Sequence, residues 1–172
     1  IGIVGIADPI RDDVRQAIDT CSGHAGVRVI MVTGDNALTA SEIARQAGII
    51  GENESKPLTI TGSEFAAKSD EYLKKEVIPN LRVLSRARPE DKVRLVTLLQ
   101  EMGEVVAVTG DGTNDAPALK KAQVGLSMGD GTARAKEASD VTIIDNSFSS
   151  IGKGILWGRS LYLNIKRFIL FQ

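Results

Sequence analysis

The chain has 172 residues, and 42% of them are hydrophobic, which is enough to bury one substantial core and excludes a disordered or fibrous protein. Lysine and arginine number 21 against 22 aspartate and glutamate residues, so the overall charge gives no reason to expect nucleic acid as a partner. The single cysteine, Cys21, excludes an internal disulfide, and neither it nor His24 has companions at metal-ligand spacing. Function must therefore come from local sites.

Short apolar runs alternate with helical patterns along the chain. The predicted strands are residues 3–6, 27–32, 81–84, 105–108, 124–127 and 141–144, and the predicted helices among them are 12–21, 37–46 and 90–102. Repeated strand-helix units of this kind predict a doubly wound, mostly parallel α/β sheet with helices on both faces. Residues 51–63 are polar and turn-rich and lead into a Lys- and Glu-rich helix near 64–78, which we interpret as a peripheral insertion.

The last segment, residues 151–172, predicts one long helix with apolar residues at helical spacing. Two interpretations stay open: a helix packed on the domain, and a stalk that becomes apolar as it enters a bilayer. No run of 18 or more apolar residues occurs, so the chain contains no complete membrane span. Because it begins at Ile1 inside a predicted strand and stops inside an apolar helical pattern, we expect a piece of a longer protein.

A predicted strand, residues 105–108, leads directly into the loop Gly110-Asp111-Gly112-Thr113-Asn114-Asp115. Its apolar, β-branched residues are typical of a strand covered on both faces of a parallel sheet. The glycines let the backbone approach an anion closely, and Asp111 and Asp115 supply the hard oxygen ligands that Mg²⁺ prefers. The alternative is an ordinary Asp-Gly turn. Ligands in such sheets bind at the carboxyl ends of strands, so the loop is a candidate magnesium and phosphoryl site.

Three further motifs also follow predicted strands. Thr33-Gly34-Asp35-Asn36 offers a hydroxyl and backbone amides to a phosphoryl oxygen at a helix start, although it is equally a good turn and N-cap sequence. Lys92 can supply a point charge and Arg86 can clamp a nucleotide phosphate, although an exposed helical lysine is usually only solvated. The third motif is Asp8-Pro9-Ile10-Arg11, for which the alternative interpretation is a proline-bounded start of a helix. We expect the topology of the sheet to bring the four motifs to one edge.

These residues resemble known proteins. Thr33-Gly34-Asp35, Lys92 and Gly110-Asp111-Gly112-x-Asn114-Asp115 are similar to the second, third and fourth motifs of the haloacid-dehalogenase superfamily of phosphoryl-transfer enzymes. Longer strings resemble the phosphorylation domain of P-type cation-transporting ATPases over essentially the whole chain: residues 8–11, 31–36 and 109–119. Other strings are most similar to the plasma-membrane, calmodulin-regulated calcium pumps: Thr113, residues 135–140 and 157–159, and Phe171-Gln172.

The resemblance implies a fold and a reaction. The fold is a Rossmann-like, haloacid-dehalogenase-like sheet, and the reaction moves the γ-phosphoryl group of ATP onto an aspartate. Hydrolysis of that acyl phosphate is coupled to cation transport, here of calcium. We therefore expect Mg²⁺ as cofactor and ATP as substrate. Phosphoryl transfer depends on positioning and neutralisation of charge, which Mg²⁺, a lysine and backbone amides provide.

The resemblance also implies roles for individual residues. Asp111 is the expected Mg²⁺ ligand, with Asp115 as a second metal-site residue and Asn114 organising the site and binding phosphate. The phosphoryl group is expected to be held by Thr33 and Gly34 and neutralised by Lys92. Thr33, Lys92 and Asp111 are thus the expected catalytic residues. The remaining site residues are expected to support nucleotide and hinge contacts: Asp8, Arg11, Asp35 and Arg86.

The family's first motif, Asp-Lys-Thr-Gly-Thr, carries the phosphorylated aspartate and is absent from the 172 positions. We therefore expect residues 1–150 to be a partial phosphorylation domain and 151–172 to be a stalk with the start of the fifth transmembrane helix. The isolated chain should be inactive. The expected partners are the nucleotide-binding, actuator and membrane domains of the same pump, the lipid bilayer, and calmodulin elsewhere in the parent. This implies a cytoplasmic domain of a plasma-membrane or internal-membrane protein.

The missing motif has a structural consequence. In the family the strand bearing the nucleophile lies between the strand that ends at Thr33 and the one that ends at Asp111. Its absence leaves unpaired backbone groups on two neighbours, so we predict either a slot between these strands or their collapse onto each other. Regular hydrogen bonding between strands that contain Ile30 and Ala107 would indicate collapse.

Two other functions stay open. The first is a soluble haloacid-dehalogenase-type phosphatase with Asp8 as the nucleophile. Those enzymes usually place a general-acid aspartate two residues later, where this chain has Ile10. The second is a non-catalytic truncated module that binds Mg²⁺ and phosphate or another protein.

Overall fold

The computed structural model describes residues 9–51, 54 and 58–171. Within these residues the strands are β1 (Met31–Val32), β2 (Leu58–Thr61), β3 (Leu81–Ser85), β4 (Ala107–Gly110), β5 (Val124–Met128) and β6 (Val141–Ile143). The helices are α1 (Asp12–Asp19), α2 (Ala37–Gln46), α3 (Gly62–Ala67), α4 (Asp70–Tyr72), α5 (Pro89–Glu101), α6 (Ala116–Lys121), α7 (Ala133–Ala138) and α8 (Ser149–Phe171). The strand predicted at residues 3–6 lies outside the described residues.

The strands form two parallel three-stranded sheets. In the first, β3 lies between β1 and β2, and Thr61 at the end of β2 is opposite Ser85 at the end of β3. In the second, β5 lies between β4 and β6, and Gly110 is opposite Ser127. Parallel ladders with intervening helices confirm the predicted α/β class. They also place the loops that follow the strands of each sheet at one edge.

The described residues contain no pairing between β1 and β4. Ile30 precedes β1, which pairs only with β3, whereas Ala107 pairs with Val124 of β5. The two strands have therefore not collapsed into one ladder. Each has one edge without a strand partner among the described residues, as the slot alternative predicts.

β4 is less buried than its sequence predicts. Val105 lies before the strand and is 82% exposed, and the side chains of Ala107 and Thr109 are also exposed. The expectation of a strand covered on both faces is therefore wrong.

The segment from residue 58 to 80 is part of the core rather than a peripheral insertion. β2 pairs in parallel with β3, and the side chains of Phe65, Leu73 and Ile78 are fully buried. The single helix predicted near 64–78 is interrupted at Lys68, where the backbone is extended before Ser69 caps α4. The sequence did not reveal β2, because the strand has only four residues and follows a polar, turn-rich stretch.

Both faces of the first sheet are covered. Val83 of β3 packs with Ala40, Ala44 and Ile50 around α2. The adjacent residue Leu84 belongs to the larger core, because successive strand residues point to opposite faces. That core also contains three buried leucines of α5: Leu95, Leu98 and Leu99. Helices on both faces are the doubly wound arrangement that the strand-helix alternation predicts.

The long helix α8 begins two residues earlier than predicted and is largely exposed. Its first turns lie against the segment after α1, where Gly152 is buried and Arg159 Nη2 donates to the carbonyl oxygen of Ala25 at 2.5 Å. The side chains of Trp157 and Phe168 are 78% and 64% exposed. The helix is therefore packed on the domain at its first turns and exposed beyond them. Among the described residues, no helix combines the length and the apolarity needed to cross a membrane.

Candidate functional site

The loop after β1 is folded by its own polar side chains. Thr33 Oγ1 donates to Asp35 Oδ2 at 2.9 Å and accepts from the Asp35 amide at 3.1 Å. Asn36 then caps α2 by accepting from the Thr39 amide at 2.9 Å. Gly34 is exposed, and a Cβ atom placed there would have no neighbour within 4 Å. The loop therefore places an exposed glycine backbone beside the Thr33 hydroxyl at the amino end of α2.

The loop after β3 is hydrogen-bonded to the loop after β1. The Arg86 amide donates to the Asp35 carbonyl oxygen at 2.9 Å, and the Ala87 amide donates to the Thr33 carbonyl oxygen at 2.9 Å. Arg86 has a φ angle of +47°, in the left-handed region that residues with a Cβ atom rarely adopt. The turn leaves its side chain exposed beside the Thr33 loop.

α5 places Lys92 at the same edge. Pro89 opens the helix, and the buried carboxylate of Asp91 accepts from the Arg88 amide at 2.9 Å, which fixes the first turn. Lys92 Nζ donates to Asp115 Oδ1 at 2.6 Å, and the two side chains are only 18% and 17% exposed. This ion pair joins a helix of the first sheet to the loop after β4 in the second.

The loop after β4 is tightly packed. The other carboxylate oxygen of Asp115 accepts from the Gly112 amide at 3.2 Å, and the Asp115 amide donates to the Gly112 carbonyl oxygen at 3.1 Å. A Cβ atom at Gly110 would lie 2.5 Å from Asp115 Cβ, so only glycine fits. Asp111 and Asn114 are exposed. The Asp111 carbonyl oxygen accepts from the Thr132 amide at 2.8 Å.

The two aspartates of this loop differ in what they can offer a metal ion. Both oxygens of Asp115 already accept hydrogen bonds, whereas the exposed Asp111 accepts no side-chain hydrogen bond among the described residues. No group of three or more His, Cys, Asp or Glu residues suited to a metal occurs in the described part of the chain. Mg²⁺ usually keeps several water ligands and binds through one or two carboxylates plus phosphate oxygens. These residues fit such an ion, with Asp111 as the accessible ligand.

Two predicted site residues remain, Asp8 and Arg11. Asp8 is outside the described residues. Arg11 precedes α1, and its Nη1 donates to the carbonyl oxygen of Asn146 at 2.7 Å, beyond the end of β6. The contact described for Arg11 is therefore at the segment that leads into α8, not at the Thr33 or Asp111 loops.

Sequence reasoning missed the loop after β5. This loop, Gly129-Asp130-Gly131-Thr132, lies against Asp111, and a Cβ atom at Gly131 would be 3.2 Å from Asp111 Cα. A signal was available. The string Gly-Asp-Gly-Thr occurs twice, at 110–113 and at 129–132, and the two copies follow adjacent parallel strands.

A family model described as haloacid dehalogenase-like hydrolase matches residues 1–123, and a second model with the same description matches residues 92–155. The chain belongs to the haloacid dehalogenase-like hydrolase family. The parallel sheets, with polar loops at the carboxyl ends of their strands, agree with this family assignment.

Similar proteins narrow the placement within the haloacid dehalogenase-like family. Calcium-transporting ATPase 2 of Schizosaccharomyces pombe is 54% identical over 100% of this chain, which covers 13% of that protein. The plasma membrane-type calcium-transporting ATPase 10 of Oryza sativa subsp. japonica is 54% identical over 100% of the chain, which covers 17% of that protein. The chain thus spans about one sixth or less of the length of these relatives.

A solved structure supports the same relationship. A zinc-transporting PIB-type ATPase in its E2.Pi state aligns with a TM-score of 0.71 and 30% identity over 93% of this chain and 21% of that one. Together with the sequence relatives, it confirms the predicted resemblance of this haloacid dehalogenase-like chain to P-type cation-transporting ATPases and, among them, to plasma-membrane-type calcium pumps.

Proposed function

We propose that this chain is part of the phosphorylation domain of an ATP-driven calcium pump and supplies the loops that bind Mg²⁺ and the phosphoryl group. The observation that carries the proposal is the continuous set of contacts among three motifs. Asp35 and Thr33 accept from the backbone of Arg86 and Ala87, and Lys92 on the following helix pairs with Asp115.

Each loop has a role in this proposal. Thr33 Oγ1 donates to a phosphoryl oxygen in place of Asp35 Oδ2, and the Gly34 amide binds a second oxygen at the amino end of α2, where the positive end of a helix favours an anion. Lys92 Nζ has three protons and donates one to Asp115, so two remain for phosphoryl oxygens. Asp111 ligates Mg²⁺ directly, and Asp115 keeps Lys92 and the loop in place. Mg²⁺ neutralises developing charge on the transferring group when it is bound there.

The proposal extends to residues with peripheral roles. Arg86 and Asp35 lie at the Thr33 loop and support the binding of the nucleotide phosphates. The exposed side-chain amide of Asn114 binds phosphate. Asp8 and Arg11 act at the hinge that leads to α1. The exposed helix α8 is the stalk toward the membrane part of the pump, and the rest of the phosphorylation domain supplies the aspartate that is phosphorylated. The chain is then a cytoplasmic part of a membrane protein, and calmodulin is a partner of another segment.

Phosphoenzyme formation tests this function. Membranes that contain the complete protein are incubated with γ-labelled ATP, and label that hydroxylamine releases reports an acyl phosphate. We expect labelling that depends on calcium and Mg²⁺ in the wild type, loss of label in Lys92→Ala and Asp111→Asn, and no change in Lys120→Ala, which removes an exposed lysine of α6.

Two results would overturn the proposal. Calcium-independent labelling, with vesicle transport of a different cation alone, would replace calcium as the transported ion. Hydrolysis of acetyl phosphate by the 172-residue chain, abolished by Asp8→Asn, would instead establish a soluble phosphatase.

A further inference from the structure

The loop of residues 129–132 contacts the Asp111 backbone on one side and the end of β6 on the other. On one side the Thr132 amide donates to the Asp111 carbonyl oxygen at 2.8 Å, and the Gly131 amide donates to the Met128 carbonyl oxygen at 2.9 Å. A Cβ atom at Gly131 would lie 3.2 Å from both Cα and the carbonyl oxygen of Asp111. The loop and the Asp111 backbone are therefore in direct contact, and displacement of one displaces the other.

The other side of this loop is held by Asn146. Asn146 Oδ1 accepts from the Asp130 amide at 2.9 Å, and the neighbouring Gly129 amide donates to the Ile143 carbonyl oxygen at 2.8 Å. The packing is close, because a Cβ atom at Gly129 would lie 3.0 Å from Asn146 Oδ1 and 2.8 Å from the Ile144 carbonyl oxygen. The side-chain oxygen of Asn146 thus binds the loop two residues from the amide that contacts Asp111.

The backbone of Asn146 is itself held in an unusual conformation. Its φ angle is +53°, and its amide donates to the Ile143 carbonyl oxygen at 3.3 Å. Its carbonyl oxygen accepts from Arg11 Nη1 at 2.7 Å. Asparagine is among the few residues that adopt the left-handed region readily and also carry a side-chain acceptor. Three residues later Ser149 begins α8, so Asn146 lies between the loop at Asp111 and the start of this helix.

We propose that Asn146 is a positioning residue for Asp111, acting through the Asp130 and Thr132 amides of the Gly129–Thr132 loop. This rests on the proposed function of Asp111 as the Mg²⁺ ligand. Loss of the Asn146 acceptor frees the Asp130 amide, loosens the loop and shifts the Asp111 backbone. Small displacements of a positioned group reduce the rate of the step that depends on it. The binding of ATP, which relies on other residues, is not affected.

Three substitutions separate the side-chain hydrogen bond from the backbone conformation. Asn146→Gly keeps the left-handed conformation but removes the acceptor. Asn146→Asp keeps both the acceptor and the tolerance for this conformation. Asp130→Ala is the matched control, because it removes an exposed carboxylate and leaves the amide that Asn146 binds.

Hydrogen exchange in the complete protein measures the loop without reference to activity. We expect faster exchange at the Asp130 and Thr132 amides in Asn146→Gly, and wild-type exchange in Asn146→Asp and Asp130→Ala. Phosphoenzyme formation measures the consequence at the site. The Mg²⁺ concentration for half-maximal labelling should rise about fivefold in Asn146→Gly, the factor that corresponds to one hydrogen bond of about 1 kcal/mol. The ATP concentration for half-maximal labelling should stay unchanged.

The hydrogen-exchange and labelling experiments together distinguish this inference from the function on which it rests. Wild-type exchange in Asn146→Gly, or equal Mg²⁺ shifts in Asn146→Gly and Asn146→Asp, would overturn the positioning role while labelling of the wild type still stands. An absence of labelling in the wild-type protein would overturn the proposed function, and with it the Mg²⁺ role of Asp111.

Discussion

Lys92 Nζ lies 2.6 Å from Asp115 Oδ1, with each side chain less than one fifth exposed. The contact joins α5, which packs on the first sheet, to the loop that follows β4 in the second. Because both oxygens of Asp115 are engaged, by Lys92 and by the Gly112 amide, this carboxylate shapes the site and holds the lysine at its edge.

We predict that this pair contributes a measurable coupling energy. Lys92→Met and Asp115→Ala should each lower the free energy of unfolding by about 1–2 kcal/mol, because each leaves a partly buried polar partner unpaired. The double variant should lose about 1 kcal/mol less than the sum of the two single losses. Urea unfolding of the four proteins measures this cycle. Additive losses would mean that the two groups stabilise the fold independently.

Gly110 and Gly34 should respond in opposite ways to the same substitution. A Cβ atom at Gly110 would lie 2.5 Å from Asp115 Cβ and 2.8 Å from its Cγ, whereas a Cβ atom at Gly34 meets nothing within 4 Å. We therefore expect Gly110→Ala to destabilise the protein by about 2 kcal/mol, as overpacking does, and Gly34→Ala to be nearly neutral. Thermal unfolding compares the two variants. Equal melting temperatures would contradict the packing described for the loop after β4.

Arg86 permits a separation of backbone strain from side-chain function. Its φ angle of +47° strains any residue with a Cβ atom, at a cost of about 1 kcal/mol that glycine does not have. We expect Arg86→Gly to be about 1 kcal/mol more stable than Arg86→Ala, although both lack the guanidinium. Unfolding experiments measure that difference, and the two variants should show the same loss of nucleotide affinity. A more stable alanine variant would be inconsistent with the left-handed turn.

The sequence predicted the elements with strong helical or strand periodicity. α2 was predicted at its observed bounds, residues 37–46, and α5 within one residue at each end, because an N-cap residue or a proline marks each start. The contact between the Thr33 loop and the loop after β3 follows from the parallel ladder of β1 and β3, which aligns the carboxyl ends of the two strands. The Lys92–Asp115 pair joins two sheets without a ladder between them, so the ladders do not account for it.

Other features depended on tertiary contacts that a single sequence does not encode. The four residues of β2 form a strand because β3 offers them a ladder, and β1 is shorter than its apolar run because only Met31 and Val32 pair with β3. The burial of β4 depends on what packs on its faces, which its own composition does not determine. The role of Asn146 arises from residues far apart in the chain, Arg11 and Asp130, so no local pattern indicates it.

Arg94 should be a major stabilising residue of the segment that sequence reasoning treated as peripheral. Its guanidinium donates to the carbonyl oxygens of Phe65 at 2.9 Å and Lys68 at 2.7 Å, and to Asp70 Oδ1 at 2.6 Å. It also lies 5.3 Å from the centre of the Phe65 ring. We expect Arg94→Ala to lower the free energy of unfolding by about 2 kcal/mol.

Two further variants serve as comparisons for Arg94→Ala. Arg94→Lys retains the charge but not the fork of donors, so we expect an intermediate loss of stability. Lys120→Ala, on the surface of α6, should change stability by about 0.5 kcal/mol or less. If urea unfolding gave Arg94→Ala no larger effect than Lys120→Ala, the contacts of Arg94 would add nothing to the fold.

The start of α8 should depend on pH through Asp13. Asp13 Oδ2 accepts from Ser147 Oγ at 2.7 Å and from the Ser149 amide at 3.2 Å, where the helix begins. The Ser147 hydroxyl, aided by the backbone amides, holds the pKa of Asp13 below its ordinary value of 3.8. A depressed pKa means that the folded state favours the carboxylate. Its contribution is therefore present above pH 3.8 and is lost as the pH falls through the folded-state pKa.

Carboxyl-carbon NMR titration of the protein measures the Asp13 pKa directly. Ser147→Ala should bring it back toward 3.8, because the largest cause of its depression is removed. Asp145 needs a separate control, since the Ser150 hydroxyl and the Ser147 amide lower the pKa of that carboxyl at the same helix start. In an Asp145→Asn background, acid should still increase amide exchange at Ser149, and the further substitution Asp13→Asn should remove this dependence. An Asp13 pKa that Ser147→Ala leaves unchanged would show that the hydroxyl does not bind the carboxylate in solution.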